Sequence, residues 1–238
     1  MTEPVTKQAD EKLRQEFNEW AEAGRGEEME AHHISIAEQT IQRMKLQAGD
    51  RVLDLGCGAG WATRILAMAV EGRRGEQQGH AIGIDVADEM IARARAAATN
   101  VENAMFAWGS ASEIPWASDY FDKVLSIESF YYYPDQDKVL DEVRRVMAPG
   151  AKLYILINLY RENHYSLRWV TELNVPVHAR SEQEYKQMLE RHAFTGVEII
   201  HVPDKTPTPE TYSGKWFKSA EELKDFKRLG ALLLVATK

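Results

Sequence analysis

Hydrophobic residues in the N-terminal part of the chain recur at the spacing of amphipathic helices. The first apolar face consists of Leu13, Phe17 and Trp20. A second apolar pattern runs from residue 34 to residue 44. Because glycine destabilises the interior of a helix, Gly24 and Gly26 are predicted to divide residues 8–46 into two helices.

Beyond residue 50, short apolar runs alternate with segments of helical periodicity. The predicted strands cover residues 51–56, 80–86, 104–108, 121–128 and 152–159. The predicted helices cover residues 60–70, 87–98 and 135–147, the last of them closed by Ala148, Pro149 and Gly150. This alternation is typical of a parallel sheet with right-handed crossovers. It predicts an α/β fold of the Rossmann-like, doubly wound kind.

The C-terminal part adds two further strands to this sheet. They are predicted over residues 197–202 and 231–237, as an antiparallel pair that brings the sheet to seven mostly parallel strands. Additional helices are predicted over residues 181–192 and 219–228. Residues 160–178 are irregular and aromatic, and the prolines between residues 203 and 209 make a stiff, non-helical connection.

Size and composition are those of one globular domain. The 238 residues are 44% hydrophobic and 28% charged, which predicts a single domain over residues 1–238. Its predicted parts are a helical N-terminal cap, a core and a C-terminal segment, over residues 1–48, 49–160 and 161–238. The net charge of −8 disfavours binding to nucleic acids and to anionic membranes, and no apolar run is long enough to span a bilayer. We therefore expect a cytoplasmic protein, whose oligomeric state the sequence leaves open.

The strand over residues 51–56 runs into a glycine-rich loop. Glycines at such a turn let the backbone approach a ligand where a Cβ would collide. The dinucleotide-binding fingerprint needs a glycine where this chain has Trp61, and Asp54 is poorly placed to meet a phosphate. Asp54 is better suited to fix the conformation of the loop and to attract the ammonium group of an amino acid. The pattern therefore indicates a nucleoside-like ligand that is not rich in phosphate.

Cys57 lies inside this loop and is the only cysteine of the chain. A single cysteine excludes an intramolecular disulfide and a multi-cysteine metal site. Steric fit is a sufficient role for Cys57 in the loop, and no metal is expected.

Asp85 ends the next predicted strand. A carboxylate at this position can accept hydrogen bonds from both hydroxyls of a ribose. The alternative is a charge that stabilises the following helix start together with Asp88. Val86 and Met90 are suited to line an adenine face, although core packing is equally natural for both.

Four segments of the chain, taken in order, resemble class I S-adenosylmethionine-dependent methyltransferases. Residues 54–60 and 83–86 resemble the first two motifs of that family. Residues 109–115, followed by residues 118–122, resemble the loop after the third strand and the opening of the fourth strand in the small-molecule type known as type 11. Residues 141–150 resemble the helix and turn before the fifth strand of that type. The matches span about residues 50–157.

The resemblance implies S-adenosylmethionine as the cofactor, S-adenosylhomocysteine as the product and a small molecule as the methyl acceptor. It implies that the glycines hold the methionine part, that Asp85 binds the ribose and that Ser110 and Ala111 border the adenine. Ile127 and Glu128 are then expected along the methionyl chain. The full predicted cofactor site consists of Asp54, Gly56, Cys57, Gly58, Asp85, Val86, Met90, Ser110, Ala111, Ser112, Ile127 and Glu128.

Ser110 departs from the family pattern. The family commonly has an acidic residue there, and its carboxylate accepts a hydrogen bond from the adenine amino group. A serine hydroxyl can still accept such a bond. Ser112 or Glu113 could supply a substitute acceptor.

Methyl transfer requires an acceptor atom aligned behind the methyl group, so positioning supplies much of the acceleration and no dedicated base is obligatory. The sequence therefore leaves the catalytic residues and the acceptor atom, an oxygen, nitrogen or carbon, undetermined. The family resemblance implies that the acceptor pocket is formed by the cap, the end of the fourth strand and the segment after the fifth strand. The candidate residues there are Trp20, His33, Tyr131, Tyr132, Tyr160 and His164.

Two other functions remain open at this point. An NAD-dependent oxidoreductase has a related topology but is disfavoured by Trp61 and Asp54. A protein that binds the cofactor without catalysis, or serves as a scaffold, is the other alternative, with Ser110 as a sign of a decayed site.

Overall fold

The computed structural model describes residues 3–73 and 77–238, with the side chains of residues 3–6 and 27 left undescribed. Over these residues the chain forms eight helices and seven strands. The helices are α1 Glu3–Glu22, α2 Arg25–Met44, α3 Trp61–Val70, α4 Asp88–Ala97, α5 Gln136–Val146, α6 Trp169–Glu172, α7 Glu182–Arg191 and α8 Ala220–Leu229. The strands are β1 Arg51–Leu55, β2 His80–Asp85, β3 Ala104–Trp108, β4 Phe121–Ile127, β5 Met147–Ile157, β6 Thr195–Val202 and β7 Ala231–Thr237.

All described strands belong to one sheet in the order β3-β2-β1-β4-β5-β7-β6. Strands β1 to β5 are parallel, and β7 runs antiparallel to both β5 and β6. The chain moves outward from β1 to β3 and then crosses to β4 on the other side of β1, which creates a switch point between β1 and β4. Ligands of open α/β sheets bind at the carboxyl ends of the strands at such a point.

The strands bury side chains on both faces of the sheet. Leu53 and Leu55 of β1 pack into one apolar cluster, whereas Val52 packs into the other. This division follows from the alternation of side chains along a strand. The predicted Rossmann-like, doubly wound sheet with an antiparallel C-terminal strand is confirmed, as is the helical segment before it. The division into cap, core and C-terminal segment stays a prediction.

Two local predictions were wrong. Only Gly24 separates the first two helices, where its backbone is left-handed at a φ of 75°, and Gly26 lies in the first turn of α2. A Cβ on Gly26 would lie 3.0 Å from the Cβ of Ala59, so this glycine permits close approach of α2 to the glycine-rich loop. Residues 148–150 do not close α5. Strand β5 begins at Met147, pairs there with Phe121, and its register shifts before the pairing resumes at Lys152.

Helix α1 is attached to the start of α4 by polar contacts. The Arg14 guanidinium donates to the Asp88 carboxylate at 2.8 Å and 3.2 Å. The Asn18 amide donates to Asp88 at 2.9 Å, and its oxygen accepts from the backbone N–H of Glu89 at 3.1 Å. These bonds place one face of α1 over the carboxyl edge of the sheet, beside the β2–α4 turn. None of the helices in the described ranges combines the length and the apolar character needed to cross a membrane.

Gly60 is predicted to be more sensitive to substitution than Gly150. Both have left-handed backbones, with φ of 75° and 78°, so alanine strains both. A Cβ on Gly60 would also lie 2.8 Å from the Cβ of Ala94 and 2.5 Å from the Phe106 ring, whereas nothing lies within 4 Å of the Cβ position on Gly150. We expect Gly60→Ala to lower the free energy of unfolding by about 1–3 kcal/mol more than Gly150→Ala. Urea unfolding of both variants measures the difference, and equal losses would contradict the steric explanation.

Candidate functional site

The loop after β1 is tied to the end of β2. In the parallel register Leu55 lies opposite Ile84, so both strands end at the same edge. The backbone N–H groups of Gly56 and Cys57 donate to the Ile84 carbonyl at 2.8 Å and 3.0 Å. Gly56 has a φ of 77°, and a Cβ there would lie 2.4 Å from the Cβ of Ser129. The loop therefore needs glycine at this position both for its backbone angle and for space.

Asp85 stands at the centre of this edge. Its Oδ2 accepts from the N–H of Gly58 at 2.8 Å, and its Oδ1 accepts from the N–H of Ala87 at 2.9 Å. Each oxygen keeps a lone pair for a further donor. Loss of hydration raises the pKa of Asp85, and its backbone hydrogen bonds oppose that change. The carboxyl is thus fixed in orientation and still able to accept hydrogen bonds.

Asp54 lies at the edge of the same cavity and is itself buried. Its Oδ2 accepts from the Thr63 hydroxyl at 2.6 Å. Burial and, to a smaller extent, the negative charge of Asp85 raise the pKa of Asp54 to about 7. Cys57 is also buried, its pKa is raised by burial, and a Cβ on Gly83 would lie 2.8 Å from its sulfur. Close packing against β2 accounts for Cys57.

Glu128 follows β4 with a left-handed backbone, at a φ of 51°. Its Oε1 accepts from the N–H of Asn158 at 2.5 Å, and its Oε2 accepts from the Tyr131 hydroxyl at 3.0 Å. Loss of hydration raises the pKa of Glu128 to about 8. A left-handed backbone is uncommon for a residue other than glycine, and strained backbone of this kind is concentrated at functional sites.

These groups face a cavity of about 410 Å³ at the switch point, within the size range of small-molecule sites. Helices α1 and α2 cover one side of it, and residues between 169 and 227 cover another. The predicted site residues that line it are Trp20, His33, Asp54, Gly56, Cys57, Gly58, Asp85, Val86, Met90, Ala111, Ile127, Glu128, Tyr131 and Tyr132.

Four predicted site residues do not line the cavity. Ser110 and Ser112 are not among the residues that line the cavity, and their hydroxyls lie 2.9 Å from each other. Tyr160 is fully buried, and its hydroxyl donates to the carbonyl of Gly230, just before β7, at 3.0 Å. His164 is exposed and stacks on Tyr165 with ring centroids 3.9 Å apart. The aromatic character of this segment signalled proximity to the cavity, but sequence could not show which side chains turn inward.

The cap contributes an aromatic wall. The ring of Phe17 contacts those of Trp20 and Tyr132 edge to face, at centroid distances of 5.2 Å and 5.0 Å. The Arg25 guanidinium lies 3.9 Å from the centroid of the Trp20 ring. Burial lowers the pKa of His33 to about 4, so its imidazole is neutral at physiological pH and can accept a hydrogen bond.

A second aromatic wall was missed from the sequence. It consists of Trp169, Tyr212, Trp216, Phe217 and Phe226. The Trp169 ring lies 6.1 Å from Trp216 and 6.2 Å from Phe226, and Phe217 lies 4.9 Å from Phe226. The adjacent pair of aromatic residues at 216 and 217 was the available signal. We refer to these five residues as the C-terminal aromatic wall.

Comparison with known proteins agrees with this geometry. A family model described as a methyltransferase domain matches residues 46–210. A demethylmenaquinone methyltransferase from Shouchella clausii is 30% identical over 76% of this chain and 82% of its own length. Methyltransferase GfsG from Streptomyces halstedii is 33% identical over 50% of this chain, and the match spans 42% of that relative.

A solved structure extends the likeness over almost the whole chain. It is a complex between the Haloferax volcanii Trm112 methyltransferase activator and a methyltransferase. Its similar chain is 30% identical, with a TM-score of 0.83 over 93% of this chain and 97% of that one. The fold, the glycine-rich loop beside Asp85 and the matched family lead to one conclusion: the chain belongs to the class I S-adenosylmethionine-dependent methyltransferases.

Proposed function

We propose that this methyltransferase acts on an apolar small molecule held between the cap and the C-terminal aromatic wall. The observation that carries this proposal is one continuous cavity. It joins the carboxyl groups at the ends of β1, β2 and β4 to an aromatic chamber formed by α1, α2 and residues 169–227. The acceptor atom is an oxygen, nitrogen or carbon, attacked in line.

The carboxyl end of the cavity fits S-adenosylmethionine. Asp54, Asp85 and Glu128 all line it, and loss of hydration raises the pKa of each. Buried carboxylates without a counter-charge are unfavourable, so this end favours a ligand that carries positive charge. The amino-acid ammonium and the sulfonium of S-adenosylmethionine supply that charge. When bound, this cofactor provides an electrophilic methyl group.

The protein residues bind and orient the reactants. Asp85 is positioned to accept hydrogen bonds from the ribose hydroxyls. Asp54 is positioned to attract the ammonium group of the cofactor. Glu128, held by Asn158 and Tyr131, would contact the methionyl chain. The aromatic surfaces exclude water from the reacting atoms, and alignment supplies much of the acceleration.

The aromatic walls of the chamber favour an apolar acceptor. Phe17, Trp20 and Tyr132 form one side, and the C-terminal aromatic wall forms the other. Aromatic faces of this kind bind planar or bulky apolar groups through buried area. Lys227, which also lines the cavity, is occupied by the Thr206 hydroxyl at 2.7 Å and by Asp204 at 3.6 Å.

A protein partner is also supported. The similar methyltransferase described above was solved in complex with the Haloferax volcanii Trm112 methyltransferase activator. In this chain β3 is an edge strand, and Met105 and Trp108 on it are 41% and 57% exposed. An unpaired edge flanked by large apolar side chains is suited to binding another protein. We infer that an activator of the Trm112 kind binds along β3.

Asp85→Ala is expected to weaken binding of S-adenosylhomocysteine by about 100-fold, because the ribose hydroxyls lose a charged acceptor for two hydrogen bonds. Isothermal titration calorimetry measures the affinity. Glu89→Ala is the matched control, since Glu89 is an exposed carboxylate on α4 outside the cavity. Equal affinity of the two variants would show that Asp85 does not hold the ribose.

Trp216→Ala is expected to lower kcat/KM for the acceptor about 10-fold or more through lost apolar contact, while binding of S-adenosylhomocysteine stays unchanged. The acceptor is sought by release of S-adenosylhomocysteine with a panel of apolar molecules that includes demethylmenaquinone. Val170→Ala is the control, because Val170 is exposed beside the wall and does not line it. A purified protein that binds cofactor but methylates only charged, polar molecules would refute the apolar acceptor.

A variant with Met105→Asp and Trp108→Asp is expected to lose a complex with Haloferax volcanii Trm112 that the unchanged protein forms. Charges on the edge strand oppose burial of that surface. Size-exclusion chromatography of the mixture detects the complex. Val170→Asp alters an exposed apolar residue elsewhere and should keep it. Failure of the unchanged protein to form a complex, or survival of the complex in the β3 variant, contradicts the inference.

A further inference from the structure

The cavity beyond Asp85 has apolar walls. Val86, Met90 and Ala111 line it there, next to Gly109. An adenine base placed on these walls presents an exocyclic amino group, which is a hydrogen-bond donor and needs an acceptor when water is excluded. Among the residues after β3, the Ser110 and Ser112 hydroxyls bond to each other at 2.9 Å, and Glu113 is exposed. This loop therefore offers the amino group no carboxylate.

The carboxylate at this place comes from the cap. Asp10 of α1 lines the cavity, and its Oδ2 accepts from the Ser110 hydroxyl at 2.6 Å. Within the described part of the chain, Ser110 is the residue that donates to this carboxylate. The Oδ1 of Asp10 is therefore available to accept a further hydrogen bond. Asp10 is partly buried, and loss of hydration raises its pKa, as expected for a carboxyl turned toward a cavity.

The position of Asp10 is set by α1 as a whole. Asp10, Leu13 and Phe17 are spaced three and four residues apart, so they share one face of the helix, and all three line the cavity. Arg14 and Asn18 anchor the same helix to Asp88 at the start of α4. The Asp10 carboxyl is thus held against the Ser110 loop by both an apolar face and an ion pair.

We propose that Asp10 accepts a hydrogen bond from the adenine amino group of S-adenosylmethionine, in place of a carboxylate at position 110. Ser110 orients it by donating to its other oxygen. This inference rests on the cofactor position proposed above. It makes the cap a part of the cofactor site, because an adenine-binding group is carried by α1 and not by the sheet.

The test compares two ligands that differ only at the amino group. One is S-adenosylhomocysteine, and the other is its 6-deamino analogue, with purine in place of adenine. Calorimetry of the full chain should show about a 10-fold or greater preference for S-adenosylhomocysteine, the size expected for a hydrogen bond to a charged acceptor. Asp10→Ala should reduce that preference to less than about 3-fold.

The double variant Asp10→Ala with Ser110→Asp should recover the preference, because it returns a carboxylate to the opposite wall of the same subsite. Glu19→Ala is the control, since it removes an exposed carboxylate from the same helix and should leave the preference unchanged. Recovery excludes a purely structural effect of Asp10→Ala.

Preference retained in Asp10→Ala, no preference in the unchanged protein, or loss without recovery in the double variant would each overturn the proposal. Those outcomes leave the proposed function standing, because S-adenosylhomocysteine still binds. If the unchanged protein binds neither ligand, the cofactor position itself is wrong.

Discussion

The site depends on the connection between two neighbouring strand ends. Parallel pairing of β1 with β2 brings the loop after Leu55 against Ile84, whose carbonyl accepts two backbone N–H groups from that loop. The Asp85 carboxylate accepts a third from Gly58. These bonds fix the loop backbone and the carboxylate relative to each other. The loop can adopt this path because Gly56 and Gly58 tolerate left-handed backbone angles, and Gly56 leaves space for Ser129.

The carboxyl groups at this edge stabilise the fold poorly and serve a ligand well. Asp54 and Glu128 have pKa values of about 7 and 8 because they are removed from water, and Glu128 also has a strained backbone. Burial of unpaired charge opposes folding, so groups of this kind persist where a ligand compensates for them. Under the proposed function, a cationic cofactor would compensate for all of them at once, which accounts for their position at one end of the cavity.

The other half of the cavity is formed by segments outside the parallel core. Helices α1 and α2 and the residues around α6 and α8 meet over the carboxyl edge, where they provide aromatic surfaces. Gln39 donates to the Pro203 carbonyl at 2.8 Å, and the N–H of Lys205 donates to Ser35 at 2.9 Å, so α2 and the chain after β6 hold each other. The aromatic surfaces therefore depend on the docking of these segments and not on the pairing of the strands.

The sequence by itself determined the mostly parallel sheet and the residues at the ends of β1, β2 and β4, because periodicity and glycine constraints are local properties of the backbone. It misjudged Gly26, and it did not show that Tyr160 and His164 lie outside the cavity, since a spacing along the chain does not say toward which neighbour a side chain turns. Only the tertiary structure decided that Asp10 meets Ser110, 100 residues away, and that the C-terminal aromatic wall faces the cap. Such contacts arise when whole helices dock on the rest of the fold. The free energy of docking is spread over many residues, and no single one of them has a recognisable sequence pattern.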